Sequence, residues 1–252
     1  MITRFEELDW QDTPIGELML RRRTEPAVGQ EIYEVKLGDE YLMSSLFTVA
    51  EEELANLGLA AVAGDSLSVL VGGLGLGYTA VAALRDARVT SLMVIDRLGA
   101  VIGWHERKLL PVSAELVEDA RTSLVEDDFF AVMRSAPVEG GGGYSAILLD
   151  VDHSPRHQLD PTHADLYDAA GLRALDRHLA TDGIFALWSD DPPDEEFMVE
   201  LNAVFDDAVA HVVDFDNAVT GGVSSNTVYV ARSRGADSVS RDATATHPGG
   251  EA

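Results

Sequence analysis

Carboxylates stand at the ends of three apolar runs in this sequence. Val94-Ile95 ends on Asp96, Leu124-Val125 on Glu126, Asp127 and Asp128, and Ile147-Leu148-Leu149 on Asp150, with Asp152 close behind. Ahead of them Val69-Leu70-Val71 empties into Gly72-Gly73-Leu74-Gly75-Leu76-Gly77 and then Tyr78-Thr79-Ala80. Glycine is needed where backbone closes on a ligand or takes positive φ, and a helix starting there turns free amides toward an anionic or polar group. Gly73, Gly75 and Gly77 are therefore expected to shape a nucleotide-type cofactor loop. Their spacing is not the G-x-G-x-x-G of NAD or FAD sites, and the Lys-Ser/Thr pair of a triphosphate loop is missing. Asp96 ends the next strand of such a unit, where a carboxylate accepts both hydroxyls of a ribose. Asp127 or Asp128, one strand further, is placed to accept from an adenine amino group.

Open α/β sheets put reacting groups beyond the carboxyl ends of their strands, which singles out Asp150. Trp188-Ser189-Asp190-Asp191 ends a fifth run at the same edge, so Trp188 and these acids are expected to wall an acceptor pocket. His153, His157, His163, Asp152, Asp160 and Asp165 form a second cluster. Pro155 and Pro161 bar a regular helix from aligning these side chains, and no metal motif has their spacing, so no metal is expected.

The elements that position these groups follow from periodicity. From Ser66 onward short apolar runs alternate with amphipathic ones, the pattern of a mostly parallel sheet flanked by helices. Strands are expected at 68–71, 91–95, 123–125, 146–149, 184–188, 210–215 and 227–231, and helices at 78–86, 100–109, 129–135, 166–178 and 194–205. The last two strands follow each other with only Gly221-Gly222 as a turn, which predicts an antiparallel final strand. Before this, the runs 16–21 and 31–37 alternate apolar and polar residues and predict a small antiparallel unit over residues 1–47. Thr48 is a credible cap for a helix carrying Glu51, Glu52 and Glu53. The division expected is 1–47, 48–232 and a polar, disordered tail over 233–252, with Gly140–Gly143 as a flexible loop.

The 252 residues are 46% hydrophobic and 25% charged, a globular profile with room for one large core. Lys and Arg number 18 against 44 Asp and Glu, a formal charge of −26 that repels phosphate backbones and disfavours nucleic acid as a partner. No cysteine is present, which excludes disulfides, zinc-thiolate sites, iron–sulfur clusters and thiol nucleophiles. Glu6, Glu7 and Asp9 replace any secretory apolar region, and glycines interrupt the most apolar stretch, so a cytoplasmic protein without membrane contact is expected.

The glycine loop, Val94-Ile95-Asp96 with Val101-Ile102, Lys108-Leu109-Leu110-Pro111, Glu126-Asp127-Asp128-Phe129-Phe130 and Tyr144 to Asp150 together resemble the class I S-adenosylmethionine-binding fold. Within it they resemble the spermidine synthase (polyamine aminopropyltransferase) family, over residues 15–232. The resemblance implies a Rossmann-like α/β fold with a seven-stranded sheet and a small N-terminal β unit. It also implies a transferase of polyamine biosynthesis, using decarboxylated S-adenosylmethionine and a small-molecule amine, and a homodimer. The family's Asp-Ser-x-Asp-Pro reads here Asp150-Val151-Asp152-His153-Ser154-Pro155. Asp150 keeps the first acid; His153 stands at the second, with Asp152 shifted by one. The family's upstream Asp-Glu-x-x-Tyr-x-Glu is not reproduced: Glu51 and Glu52 replace Tyr and its neighbour, and Glu53 matches the final Glu. The resemblance thus implies Asp150 and Asp152 as catalytic and Glu53, His153 and Trp188 as substrate-binding. A methyltransferase using intact S-adenosylmethionine, and an inactive cofactor- or polyamine-binding homologue, remain alternatives.

Overall fold

The computed structural model describes residues 5–13, 15–138 and 142–235. Gly140 and Gly141 of the expected glycine loop and residues 236–252 of the expected tail lie outside the described residues. An antiparallel sheet of β1 (Phe5–Thr13), β2 (Gly16–Glu25), β3 (Gln30–Leu37) and β4 (Glu40–Ser44) comes first. It is followed by α1 (Val49–Ala60) and by a seven-stranded sheet of β5 (Leu67–Gly72), β6 (Val89–Asp96), β7 (Thr122–Glu126), β8 (Tyr144–Leu149), β9 (Leu179–Ser189), β10 (Asp206–Asp216) and β11 (Val223–Arg232). The strand order is β10-β11-β9-β8-β5-β6-β7, parallel from β7 to β9, with β11 antiparallel between β9 and β10. The helices are α2 (Tyr78–Arg85), α3 (Gly99–Glu106), α4 (Ser113–Glu118), α5 (Phe129–Arg134), α6 (Ala169–Asp176) and α7 (Glu195–Val204).

Successive strand residues point to opposite faces, so the central strands feed two apolar layers. Val69, Val71, Leu92, Leu148 and Ala186 face α1 and α3, in a layer that also takes Leu18, Leu20 and Val35 from the first sheet. Leu70, Ile147, Leu149 and Phe185 face the opposite layer, with Phe129, Leu172, Phe197 and Tyr229. The chain leaves β5 toward β6 on one side and returns to β8 on the other. That reversal opens a crevice at the carboxyl ends of β5 and β8, where such sheets bind ligands.

The first sheet is also fastened to the large one by polar contacts. Asp9 Oδ2 accepts from the buried Trp104 indole at 2.6 Å, from Gln11 at 2.7 Å and from Arg107 at 2.7 Å, both Trp104 and Arg107 coming from α3 and its end. Burial works to raise the Asp9 pKa, but the Arg107, Gln11 and Trp104 donors outweigh it and hold the carboxyl below its ordinary value.

The structure adds to and corrects the expected elements. β1 is an additional strand within the expected N-terminal unit, and its Glu6, Glu7 and Asp9 do not follow the apolar–polar alternation that marks its neighbours. Their charges are met by basic partners, Glu6 by Arg22 at 2.5 Å and Asp9 by Arg107, which lets an acidic run pair as an edge strand. The helix expected at 166–178 is split. A 3-10 turn covers Pro161–Tyr167, and Asp168 then caps α6 by accepting from the Ala170 and Gly171 amides at 2.8 Å. Lys108, at φ +56, stops the helix expected to reach 109, and α4 is additional. Thr48 is the N-cap residue of α1, as expected, but its hydroxyl donates to Glu52 Oε1 at 3.1 Å and makes no capping hydrogen bond to the helix amides.

Asp9→Ala leaves the Trp104 indole and the Arg107 guanidinium without their shared acceptor, and is expected to cost about 1.5–3 kcal/mol in urea unfolding. Because the folded pKa is depressed, this contribution is present above the unfolded carboxyl value of 3.8 and is lost as pH falls through the folded one. The stability gap between wild type and variant should therefore narrow in acid.

Candidate active site

The crevice is built first by backbone. Gly73 has φ +91°, and a Cβ there would lie 2.0 Å from the Asp150 carbonyl oxygen. The Asp150 amide donates to Gly72 O at 2.8 Å and the Gly73 amide to Ile95 O at 2.9 Å, so the loop is laced to strands on both sides. Gly77, at φ +90°, starts α2, and a Cβ there would meet His105 Cε1 at 2.6 Å. His105 is fully buried; its Nε2 lies 3.0 Å from Gly75 O and its Nδ1 3.2 Å from Ser113 Oγ. A carbonyl can only accept, so Nε2 carries the proton and Nδ1 accepts from the Ser113 hydroxyl. Burial pulls the His105 pKa below its ordinary value, against the pull of Gly75, and keeps the ring neutral.

On one side of the glycine loop lies a cleft between the two sheets. Leu18, Val35 and Met43 of the first sheet, Ile95 and Asp96 of β6, and Asp128 and Phe130 at the start of α5 line it. Asp96 Oδ2 accepts from the Leu74 amide at 2.9 Å and Oδ1 from the Leu98 amide at 2.8 Å, and with the Gly75 amide these fix the carboxyl. Burial raises its pKa against these amides. Such a carboxylate can accept two adjacent hydroxyls. Asp128 caps α5 by accepting from the Ala131 amide at 3.1 Å and faces the cleft, whereas Asp127 is exposed and accepts from the Asp128 amide at 2.8 Å.

Asp150 lines the same cleft, and further carboxyls gather around it. Thr79 Oγ1, at 2.7 Å from Asp150 Oδ2 and 3.2 Å from the Glu51 carbonyl, joins α2 to both. Burial pushes the Asp150 pKa up to about 6, against the Thr79 hydrogen bond. Burial, and then the Asp150 charge, push Glu51 up to about 8, with Glu52 and Asp190 adding to it. Asp190 Oδ1 accepts from Asn226 Nδ2 at 2.7 Å. Two facing acids of this kind titrate as a pair, and they form a site that favours a cation.

Glu53 is not part of this group. It lies 200° round the helix from Glu51 at 100° per residue, and its carboxyl accepts from Asn56 Nδ2 at 2.9 Å. The acid turned to Asp150 is Glu51, which sequence reasoning had read as a departure from the family pattern. His153 is 36% exposed, and its Nε2 lies 3.8 Å from Glu40 of the first sheet, at the rim. Trp188 packs on the layer that holds α1, and its buried indole Nε1 has no hydrogen-bond partner among the described residues.

Asp152 also departs from what was expected of it. It is 1% exposed, and its oxygens are taken by the Leu159 amide at 2.8 Å, His163 Nδ1 at 2.8 Å and the Tyr167 hydroxyl at 2.7 Å. It knits the loop after β8 and does not join Asp150. In the same loop Ser154, His157 and Asp191 meet, but Ser154 donates directly to Asp191 at 2.6 Å and His157 touches the same oxygen through Nδ1 at 2.9 Å. His157 Nδ1 is also 3.3 Å from Ser154 Oγ, but the hydroxyl proton goes to Asp191 and Nδ1 shares that carboxylate oxygen, so this is not the serine–histidine–carboxylate relay of a nucleophile triad. Among the described residues no group of His, Asp or Glu is arranged to hold a metal ion, and no helix is long and apolar enough to cross a membrane.

A seven-stranded sheet in this order, switching at a glycine loop with acids at successive strand ends, is the class I methyltransferase fold. With its small N-terminal sheet it is the fold of the spermidine synthases. The crystal structure of spermidine synthase from Thermotoga maritima, and that of a spermidine synthase in complex with the transition state analogue AdoDATO, each superimpose with a TM-score of 0.65. Each match has 18% sequence identity and covers 93% of this chain and 74% of theirs. At this identity the likeness is one of fold. No protein-family model and no curated protein matches the chain.

Because burial lowers the folded pKa of His105, the unfolded chain takes up a proton that the folded one refuses. Stability is expected to be full above the ordinary histidine value of 6.5 and to fall as pH drops below it toward the folded value. His105→Gln should flatten that slope in urea titrations between pH 8 and 5; an unchanged slope would remove His105 from the account.

Proposed function

We propose that this protein is a transferase that moves an aminopropyl group from decarboxylated S-adenosylmethionine to a small-molecule amine. The observation that carries the reading is the buried carboxyl pair of Asp150 and Glu51 at the switch point, next to a cleft ending in Asp96 and Asp128. On this reading residues 48–232 form the donor-binding domain, and residues 1–47 a small unit closing over its cleft. Gly73, Gly75 and Gly77 shape the donor loop, Asp96 holds the ribose hydroxyls, and Asp128 rather than Asp127 takes the adenine amine. Asp190 supplies the second acid that the family pattern places at His153, while Trp188 walls the acceptor and His153 stands at its mouth.

The chemistry needs acids twice. An alkylammonium has a pKa near ~10.4, so freeing its lone pair at neutral pH costs roughly 4–5 kcal/mol. A carboxylate that binds the cation and accepts its proton meets both needs, and Asp150 is poised close to neutral pH to do so. The amine nitrogen then attacks the methylene beside the sulfonium. The carbon–sulfur bond breaks, its electron pair stays on sulfur, and methylthioadenosine leaves. Intact S-adenosylmethionine would bring its own carboxylate toward these acids, which supports the decarboxylated donor. One fold neighbour was crystallised with the transition state analogue AdoDATO, which accords with this reading.

Calorimetric titration with decarboxylated S-adenosylmethionine, S-adenosylmethionine and methylthioadenosine, then a product assay with putrescine, tests the proposal. Tighter binding of the decarboxylated donor and release of methylthioadenosine are expected. Preference for the intact donor with methyl transfer makes the protein a methyltransferase; saturable binding without turnover makes it a binding homologue. Asp150→Asn should lower kcat about 10²–10⁴-fold and abolish the rise of kcat/KM with pH that Asp150 ionisation, at about 6, produces in the wild type.

A further inference from the structure

The loop after β8 carries a histidine that the reaction just described does not use. His163 has a side chain 7% exposed and lines the donor cleft beside Asp128 and Phe130. Its ring lies parallel to Phe130, with centroids 3.6 Å apart and 7° between the planes. Its Nδ1 is 2.8 Å from Asp152 Oδ1, the oxygen that also accepts the Leu159 amide at 2.8 Å, and Oδ2 accepts the Tyr167 hydroxyl. A backbone amide can only donate, so Oδ1 bears no proton and Nδ1 must be the donor to it. In the neutral form of the ring the lone pair is then on Nε2, which has no hydrogen-bond partner among the described residues. An unpartnered acceptor on a nearly buried ring that lines a cleft and is locked by a carboxylate and a stacked phenyl is a recognition element.

The strand order fixes which part of a nucleoside it meets. Asp96 ends β6, Asp128 follows β7, and Phe130 belongs to the helix that leaves β7, so the ring stacked on Phe130 belongs to the part of the cleft that these elements build. Asp160, its acidic neighbour there, is occupied by the Thr162 amide and hydroxyl and by Arg97. We infer that His163, oriented by Asp152, is a specificity-determining residue for the base of the donor: it accepts a hydrogen bond from the exocyclic amino group of an aminopurine and disfavours the 6-oxo base. Asp152 is the positioning residue, acting through the tautomer of His163. The inference rests on the adenosyl-donor reading above and adds a second acceptor to Asp128.

Binding, not turnover, tests it. Methylthioadenosine and its 6-oxo counterpart methylthioinosine are titrated calorimetrically into wild type, His163→Phe, His163→Gln, Asp152→Asn and Asp152→Ala, with thermal melts to verify folding. Wild type is expected to prefer the amino base about tenfold or more. His163→Phe, which keeps the stack on Phe130 and loses the acceptor, should reduce that preference about tenfold, while His163→Gln, whose amide oxygen can accept, should restore part of it. In Asp152→Asn the Leu159 amide holds the Asn oxygen in the place of Oδ1, so Nδ1 stays the donor and the preference for methylthioadenosine is retained, whereas Asp152→Ala, which frees the tautomer, should lose much of it. Tight methylthioadenosine binding with selectivity unchanged in folded His163→Phe overturns the inference and leaves the donor reading intact. Binding of neither nucleoside to wild type overturns the donor reading itself.

Discussion

The carbonyl of Asp150 lies so close to the α-carbon of Gly73 that no side chain fits between them. This backbone contact fixes the separation of β5 and β8 at the point where the strand order reverses. The crevice and the carboxyl that Asp150 brings to it both follow from it. Asp150 leaves the sheet with its amide bound to Gly72 O, so its side chain is delivered by the strand rather than by a loop. Thr79, in the first turn of the helix that Gly77 starts, is then within reach of that carboxyl, and α1 brings Glu51 to the same place. Rigid elements, not long flexible segments, set the relative positions of the groups, which is what a reaction sensitive to fractions of an ångström requires.

Two buried acids in this protein are treated in opposite ways. Asp152 has its oxygens filled by three donors from its own loop and serves as a structural knot. Among the described residues Asp150 has only the Thr79 hydroxyl as a donor to its carboxyl and faces another acid, an arrangement that costs stability unless a cation arrives. Stability alone would favour giving Asp150 a basic partner, as Glu34 receives from Arg21 and Arg23 in the first sheet. The unrelieved pair is where fold and function pull apart. The total of 44 acids in the chain is thus not uniform: most lie in solvent, some are locked, and a few are left waiting.

Much of this was legible in the residues. The apolar runs of two-sided strands, the glycines and the strand-end acids located the large sheet and the crevice, because burial on both faces and positive φ restrict residue choice severely. Other features escaped for identifiable reasons. β1 is an edge strand whose acids need partners far along the chain, so no local pattern marks it. The split of the helix at Asp168 turns on a single cap. Glu51 and Glu53 are indistinguishable by type, and only the angular position on α1 separates the one facing Asp150 from the one facing solvent. His105 and His163 sit on apolar faces with no motif around them, and their partners, Gly75 and Asp152, come from other elements.

The hydrogen bond from Trp104 to Asp9 joins residues 95 positions apart. During synthesis, β1 emerges long before the helix that anchors it, and closing so long a loop carries an entropic cost that local hairpin formation does not. The hairpins of the first sheet can pair early, but their apolar face, with Leu18, Leu20 and Val35, has nothing to cover it until α3 has left the ribosome. The acids and arginines that line the outer strands of this sheet then take on a second meaning: they keep a waiting edge soluble in the nascent chain.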